Sequence, residues 1–333
     1  MITLASRRAI LGAAALLSTC AAHAGAASDV GSRAAPFLRA PVGARWTGMG
    51  GAASTLAEDA TALSYNPAGL AEARGLSLTS EYVSGLVGSD RQYLGAALPV
   101  GEAGGVGVAF RRWGYGEENR TLADASGAFA GSAGTFDASD LAVEVGYGTR
   151  VSVFRVGALR VGATVGFVRQ KVDDVTGDGA FLTLGARWED RAGRLRLAAA
   201  ARHLGTKIEF LSGGARPPSE GVLGISYRLV PSLLVSGDLS YAEDGRENIR
   251  LGAAWSPSEW IVFRGGYDAA NDADDGFSLG LGVAHEGAAL DYAYAPFGDL
   301  GEDHRVSLTY EFGGHGGGTT PMLTPKTRAE RKR

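Results

Sequence analysis

Beyond its leader this chain has no thiol. The single cysteine, Cys20, falls in the N-terminal stretch that reads as a secretion signal, so cysteine catalysis, cysteine-type zinc sites and disulfides are excluded from the mature protein. An oxidising compartment and a protein without disulfides fit that composition. After the N-terminus there is no apolar run of the 18 or more residues that a membrane helix needs. Nor is there a basic excess: 32 Lys and Arg stand against 36 Asp and Glu, a net charge of −4, which argues against nucleic acid as a partner. Proline is sparse at 11, and the 51 glycines follow no Gly-X-Y period, so a collagen is excluded.

Chemical motifs are equally scarce. No G-x-S-x-G elbow occurs, and the histidines after the leader (His203, His285, His304 and His315) each fall near a loop or strand end. Ser307 and His304 are the nearest pair for a membrane phospholipase, but an offset of three puts them on opposite faces of one strand. Gly48–Ala53 matches G-x-G-x-x-A with no strand before it and no βαβ unit after it. Asp174–Gly179 and Asn271–Gly276 lack the full calcium-ligand spacing and the closing glutamate. The expectation is a non-enzyme with no catalytic residue, metal or cofactor.

What the chain does have, from Leu76 to Phe312, is period-two alternation in stretches of about ten residues, broken by Gly/Asp/Asn turns. Strands are predicted at 76–85, 91–100, 105–113, 140–149, 156–169, 180–189, 194–203, 221–230, 232–242, 247–255, 260–268, 277–285, 289–296 and 304–312. Leu141, Val143, Val145 and Tyr147 face one way with Glu144 between them; Val306, Leu308, Tyr310 and Phe312 oppose Arg305 and Glu311. The connections alternate in length. Segments 114–139, 170–179, 204–220, 269–276 and 297–303 are long and polar, and the intervening ones are short. A soluble sandwich has no reason to keep that parity. A barrel with one rim outside the cell and the other in the periplasm does, so the expected fold is all-β: a single transmembrane antiparallel β-barrel of about 14 strands. Trp113, Trp188, Trp255 and Trp260 at strand ends, with Tyr241, Tyr267 and Tyr294, are expected to form interfacial girdles.

The ends differ from the middle. Residues 1–24 read as a signal peptide: Arg7 and Arg8, an apolar run Ile10–Leu17, then Ala22-His23-Ala24 before the cleavage point. Ser6–Leu11 resembles a twin-arginine signal, but that route carries folded cargo; Thr19 makes Leu17–Cys20 a poor lipoprotein box. Residues 25–74 are Ala/Gly-rich and irregular, with one helix expected over Leu56–Leu63, capped by Ser54 or Thr55 and ended by Pro67. Residues 75–312 would be the barrel, and 313–333 a flexible Gly-rich basic tail in the periplasm.

Two stretches resemble a known family. Gly48–Ala71 (GMGGAASTLAEDATALSYNPAGLA) resembles the N-terminal plug signature of the outer-membrane long-chain fatty-acid transporter superfamily, and more closely its PorV/PorQ branch. Leu290–Gly313, with Tyr292, Tyr294, Pro296, Leu300, Gly301, His304, Arg305 and Ser307, is similar to that branch's closing hairpin. The resemblance implies a fourteen-stranded barrel in the cell outer membrane with its N-terminal segment folded inside as a hatch. The plug motif would be carried by Gly48, Gly50, Gly51, Asp59, Asn66, Pro67, Ala68 and Gly69. Such a barrel is too wide for side chains alone to fill, and Arg45, Asp59 and Asn66 could meet inward polar groups. Passage of a hydrophobic solute is implied, or surface handling of secreted cargo as in type IX secretion; a non-conducting barrel that docks protein partners is the alternative. The partners implied are outer-membrane lipids, a hydrophobic ligand or secreted cargo, and the barrel-assembly machinery during biogenesis. The chain departs from the fatty-acid transporters in its short, Gly/Asp-rich loops.

Overall fold

The structure, a computed structural model, describes residues 33–85, 88–154, 157–210, 213–271 and 274–312. The signal peptide, the first residues expected in the plug and the C-terminal tail lie outside them. The chain forms β1 (Leu76–Ser84), β2 (Asp90–Val100), β3 (Gly104–Ala123), β4 (Phe129–Phe154), β5 (Gly157–Val172), β6 (Val175–Asp190), β7 (Leu195–Gly205), β8 (Ile208–Phe210), β9 (Gly213–Ala215), β10 (Glu220–Val230), β11 (Leu233–Ala242), β12 (Glu247–Trp255), β13 (Ile261–Asp268), β14 (Phe277–His285), β15 (Ala288–Pro296) and β16 (Glu302–Phe312). All but β8 and β9 make one closed antiparallel barrel, in which β1 pairs with β2 on one side and with β16 on the other. Fourteen strands close the ring, and closure leaves no unpaired edge. β8 and β9 form a separate small hairpin within the β7–β10 connection.

Alternation sorts the two faces. Leu78, Tyr82, Leu94, Val145, Leu251, Leu279 and Leu308 are among the large apolar residues exposed on the outside. Glu144, Arg187, Asp238, Asp291 and Arg305 are buried on the inside. No helix among the described residues is long and apolar enough to cross a membrane. An outer wall this apolar belongs against lipid.

Three expectations need correction. Segment 114–139 is not a loop: β3 and β4 run on as a two-stranded ribbon to Ala123 and Phe129. Past Gly114 the ribbon has left β2, and water reaches both its sides, so no hydropathy alternation marks it as strand. Segment 170–179 is likewise mostly strand, with Asp173 and Asp174 at the turn. Trp113 is no girdle residue. It lies inward-facing beside Arg91, whose guanidinium carbon sits 4.6 Å from the ring centroid, while Trp255 and Trp260 are exposed on the outer face.

Candidate functional site

Residues 33–74 lie inside the barrel and bond to strands around its inner wall, among them β1, β4, β6, β7, β11, β14, β15 and β16. The segment begins with a 3-10 turn, Pro36–Arg39, followed by a one-turn helix at Ala44–Thr47. Gly50 and Gly51 then reverse the chain at φ +64° and +78°, a conformation open to glycine at little cost. At Gly50 space matters as well: a Cβ there would lie 2.5 Å from the Tyr267 carbonyl oxygen on β13. The Gly50 N–H donates to Ser278 Oγ on β14 at 3.2 Å, and that hydroxyl donates to the Thr47 carbonyl at 2.8 Å. Gly48 rests against the Gly280 backbone.

The expected helix over Leu56–Leu63 is absent. Turns replace it up to Thr61, and helical structure follows only as the single turn Ala62–Tyr65 and the 3-10 segment Pro67–Glu72. The reason is competition for backbone groups. The Ser54 N–H donates to Asp238 Oδ2 at 3.0 Å, the Ala57 carbonyl accepts from Arg187 at 2.7 Å, and the Asp59 carboxylate takes the Thr61 N–H at 2.9 Å. Pro67 does end the helix, with Asn66 extended at φ −163°, ψ 104°. Asn66 Oδ1 accepts the Ala68 N–H at 3.1 Å while its Nδ2 donates to the Ala186 carbonyl on β6 at 3.1 Å. Gly69 has no room for a Cβ, which would strike the Ala57 carbonyl and the Arg187 guanidinium. Of the plug-motif residues, then, Gly50, Gly51, Asp59, Asn66 and Gly69 contribute turns or bonds, and Gly48, Pro67 and Ala68 contribute close packing.

Charge holds the rest. Arg45 reaches Asp291 of β15 at 3.1 Å, and Arg264 of β13 holds the same carboxylate at 2.7 Å. Burial works against the Arg45 cation, but Asp291 and Asp59 outweigh it and raise its pKa. Arg111 bonds Glu144 at 2.7 Å, and Ser64 Oγ donates to the same carboxylate at 3.1 Å. Near the short-turn rim, Glu72 pairs with Arg160, and Glu58 pairs with Arg196 at 2.7 Å. Tyr65 accepts the Val42 N–H at 3.0 Å and donates back to the Val42 carbonyl at 3.1 Å; burial raises its pKa, which keeps it a neutral donor. The sequence showed the wall arginines as lone charges on inward strand positions but gave no sign of their partners. Those partners lie as far away as the 264 positions between Arg305 and the Pro41 carbonyl.

At the long-loop mouth the contacts turn apolar. Phe37 and Leu38 pack with Val168, Phe181 and Ile208, and Phe210 lies against them, so the β8–β9 hairpin closes over this cluster. Beside it, a cleft of about 30 Å³ lies between the 37–42 stretch and β1–β3. That is well below the roughly 150 Å³ of an apolar cavity that admits benzene. Ser307 and His304 point to opposite sides of β16: Ser307 Oγ accepts the Ala44 N–H at 3.2 Å inside, and His304 Nδ1 meets the Tyr292 hydroxyl at 2.7 Å outside.

One anchor at this mouth is pH-sensitive. Arg39 lies 3.4 Å from Asp244 in the β11–β12 turn, and Arg246 holds the same oxygen at 2.6 Å. Burial alone would raise the Asp244 pKa. The Arg246 hydrogen bonds and the Arg39 charge outweigh it and hold the carboxyl at about 2, against an ordinary 3.8. A depressed carboxyl pKa stabilises the fold above its ordinary value, and that stabilisation is lost as pH falls toward the folded pKa. Pepsin cleavage next to Phe37 and Leu38 should therefore rise between about pH 4 and about pH 2, relative to a control peptide. Asp244→Asn should remove this carboxylate's share of the rise; the same step in the variant would rule the anchor out.

A closed fourteen-stranded barrel, apolar outside and with its own N-terminal segment packed against the inner wall, has the build of a transmembrane barrel. Among solved structures the chain is similar to the Pseudomonas putida toluene transporter TodX, at 12% identity and a TM-score of 0.53, over 81% of this chain and 96% of that one. It is also similar to a Pseudomonas aeruginosa FadL homologue, at 13% identity and a TM-score of 0.52, over 82% and 98%. At such identities the likeness is one of fold. No protein-family model and no curated protein matches the sequence.

Proposed function

We propose that this chain is an outer-membrane barrel that passes a small hydrophobic solute, and that residues 33–74 are a plug that shifts to let it through. The observation that carries this reading is an N-terminal segment lodged in the lumen, with a buried apolar cluster at its long-loop end. Phe37, Leu38, Phe181 and Ile208 form a buried apolar seam that an apolar solute can enter only when the segment moves, and the cleft beside it holds only about 30 Å³. The TodX and FadL-homologue folds support it as analogy. The chain would reach its membrane through a signal peptide at 1–24 and the barrel-assembly machinery, and it would act without catalysis.

The absence of cysteine from the mature chain makes the test clean. A Cβ built at Gly224 lies 3.3 Å from the Ser54 Cβ, close to disulfide spacing. Cells carrying the native chain should take up the hydrophobic probe N-phenylnaphthylamine several-fold faster than vector controls. The oxidised Ser54→Cys/Gly224→Cys variant should fall to the control rate and recover on reduction. Native uptake at the control rate would end the transport reading; equal uptake by the locked and reduced forms would end the moving plug.

A second reading, PorV/PorQ-like handling of secreted cargo at the surface or docking without conduction, draws on the β3–β4 ribbon. It stands beyond the barrel with Phe129 73% and Leu122 48% exposed. Deleting residues 117–135 should leave probe uptake unchanged and release surface-held cargo if this reading is right.

A further inference from the structure

Toward the short-turn rim the barrel wall carries a rank of like charges. Arg150, Arg160 and Arg187 stand directly opposite one another on β4, β5 and β6. Arg196 follows on β7, opposite Glu189 of β6. Arg160 and Arg187 are buried, at 3% and 1% exposed. Like charges at directly opposed positions destabilise a sheet, and a buried guanidinium without a partner does so more strongly. Such a rank needs anions in front of it.

Three carboxylates meet these guanidiniums, and only one of them belongs to the wall. Glu189 bonds Arg160 at 2.9 Å and lies 3.5 Å from Arg196. The other two come from the N-terminal segment. Glu58 lies 2.7 Å from Arg196 and 3.6 Å from Arg187, while Glu72 pairs with Arg160 and lies 4.0 Å from Arg150. Elsewhere the wall arginines find a carboxylate on the next strand, as Arg111 does with Glu144, Arg202 with Glu220 and Arg250 with Asp268. Here the wall sets one carboxylate against four cations, and the segment brings the rest. Water also reaches the edge of this arc: the Arg150, Glu58 and Arg196 side chains are 39%, 30% and 16% exposed. Ion pairs in contact with solvent are weak enough to be exchanged.

We propose that this arginine arc is a site for a small free anion bearing a carboxylate or phosphate group, and that Glu58 and Glu72 fill it while the segment is seated. The guanidinium fork receives either group through the same two-point geometry. An anion arriving from the short-turn side competes with the two glutamates. It binds only where they have left, so it shifts the population toward a segment released at this end. This goes beyond the transport reading, since it holds whatever solute crosses the barrel.

The test follows amide hydrogen exchange in the full chain in detergent, at fixed pH and fixed ionic strength. Replacing chloride with phosphate or succinate should speed exchange over residues 56–74 by about threefold or more. Residues 43–52, which are tied to Asp291 instead, should keep their rate. Arg196→Gln removes the most exposed arginine that Glu58 touches, and it should bring the phosphate-to-chloride ratio back to about one. Glu58→Ala/Glu72→Ala vacates the arc, so calorimetric titration should show phosphate binding about tenfold tighter, or more, than to the native chain. Heat-modifiable migration verifies that both variants are folded. Equal exchange in phosphate, succinate and chloride would mean ionic screening alone and would overturn the site. A double variant that binds phosphate no tighter than the native chain would overturn it too; if that variant does not fold, exchange in the native chain decides. Uptake of the hydrophobic probe reports separately on transport, so either idea can fail alone.

Discussion

Replacing Gly185 with valine should open the barrel without dismantling it. Gly185 faces inward on β6, and a Cβ there would run into Asn66 Oδ1, with Pro67 Cδ close behind at 2.9 Å. Neither neighbour can step aside. Asn66 is fully buried and held at both ends of its amide, by the Ala68 N–H and the Ala186 carbonyl. Pro67 has a fixed φ, and it also presses on Gly162 of β5 and Gly148 of β4. Three adjacent strands thus offer bare backbone where residues 66–70 cross them, and a branched side chain in that groove cannot coexist with the seated segment. The strand itself loses nothing, since valine suits a β-strand better than glycine. In planar bilayers the native chain should be nearly silent. Gly185→Val should show steady conductance close to that of a chain lacking residues 33–70. Leu184→Val, one position along and facing outward, should stay closed. A folded Gly185→Val barrel as silent as the native one would show that the segment does not seal the lumen.

The same crossing marks how far the sequence could be read. The strand count of fourteen was legible because lipid and lumen impose opposite chemistry on successive residues, as at Val143-Glu144-Val145. The β3–β4 ribbon was illegible for the complementary reason: above the membrane both faces are wet, and Glu117–Asp137 carries strand pairing with no hydropathy signature. Trp113 was misplaced because an aromatic at a strand end has the same local sequence whether it faces lipid or lumen; its odd-numbered register with Arg111 was the available clue. Within the plug, the Asn66–Pro67 turn was readable from local chemistry alone. The helix expected at Leu56–Leu63 was not, since Asp238 and Arg187 take its backbone groups and both lie more than a hundred residues away. Glycine content was visible as a number, but its purpose was not: positions such as Gly185 and Gly162 are bare because the plug passes there.

Asp291→Asn should loosen the plug far more than Arg45→Met, although the two residues form one ion pair. Asp291 is 1% exposed and serves two cations, Arg45 at 3.1 Å and Arg264 at 2.7 Å. It reaches Arg264 across β14 because Gly282 stands between them, where a Cβ would meet both groups. Neutralising Asp291 leaves two buried guanidiniums, with Asp59, 4.0 Å from Arg45, and the more weakly acting Glu58 as the anions near Arg45. Stranding a buried charge in this way costs about 3–5 kcal/mol. Removing Arg45 instead leaves the Asp291–Arg264 pair whole, so the penalty falls to that of one lost contact. Amide hydrogen exchange over residues 43–52, followed by mass spectrometry, reports how often the segment leaves the wall. Asp291→Asn should speed that exchange by about a hundredfold or more, and Arg45→Met by about tenfold or less. Exchange in Asp291→Asn as slow as in the native chain would mean that the segment is held by packing around Trp46 and Met49 alone. A larger effect from Arg45→Met would mean that Arg264 needs no help from Asp291. Either result would break the link between wall charge and retention of the segment; the expected one makes the Asp291 carboxylate, through Arg45 and Arg264 together, a main electrostatic tether of residues 43–52.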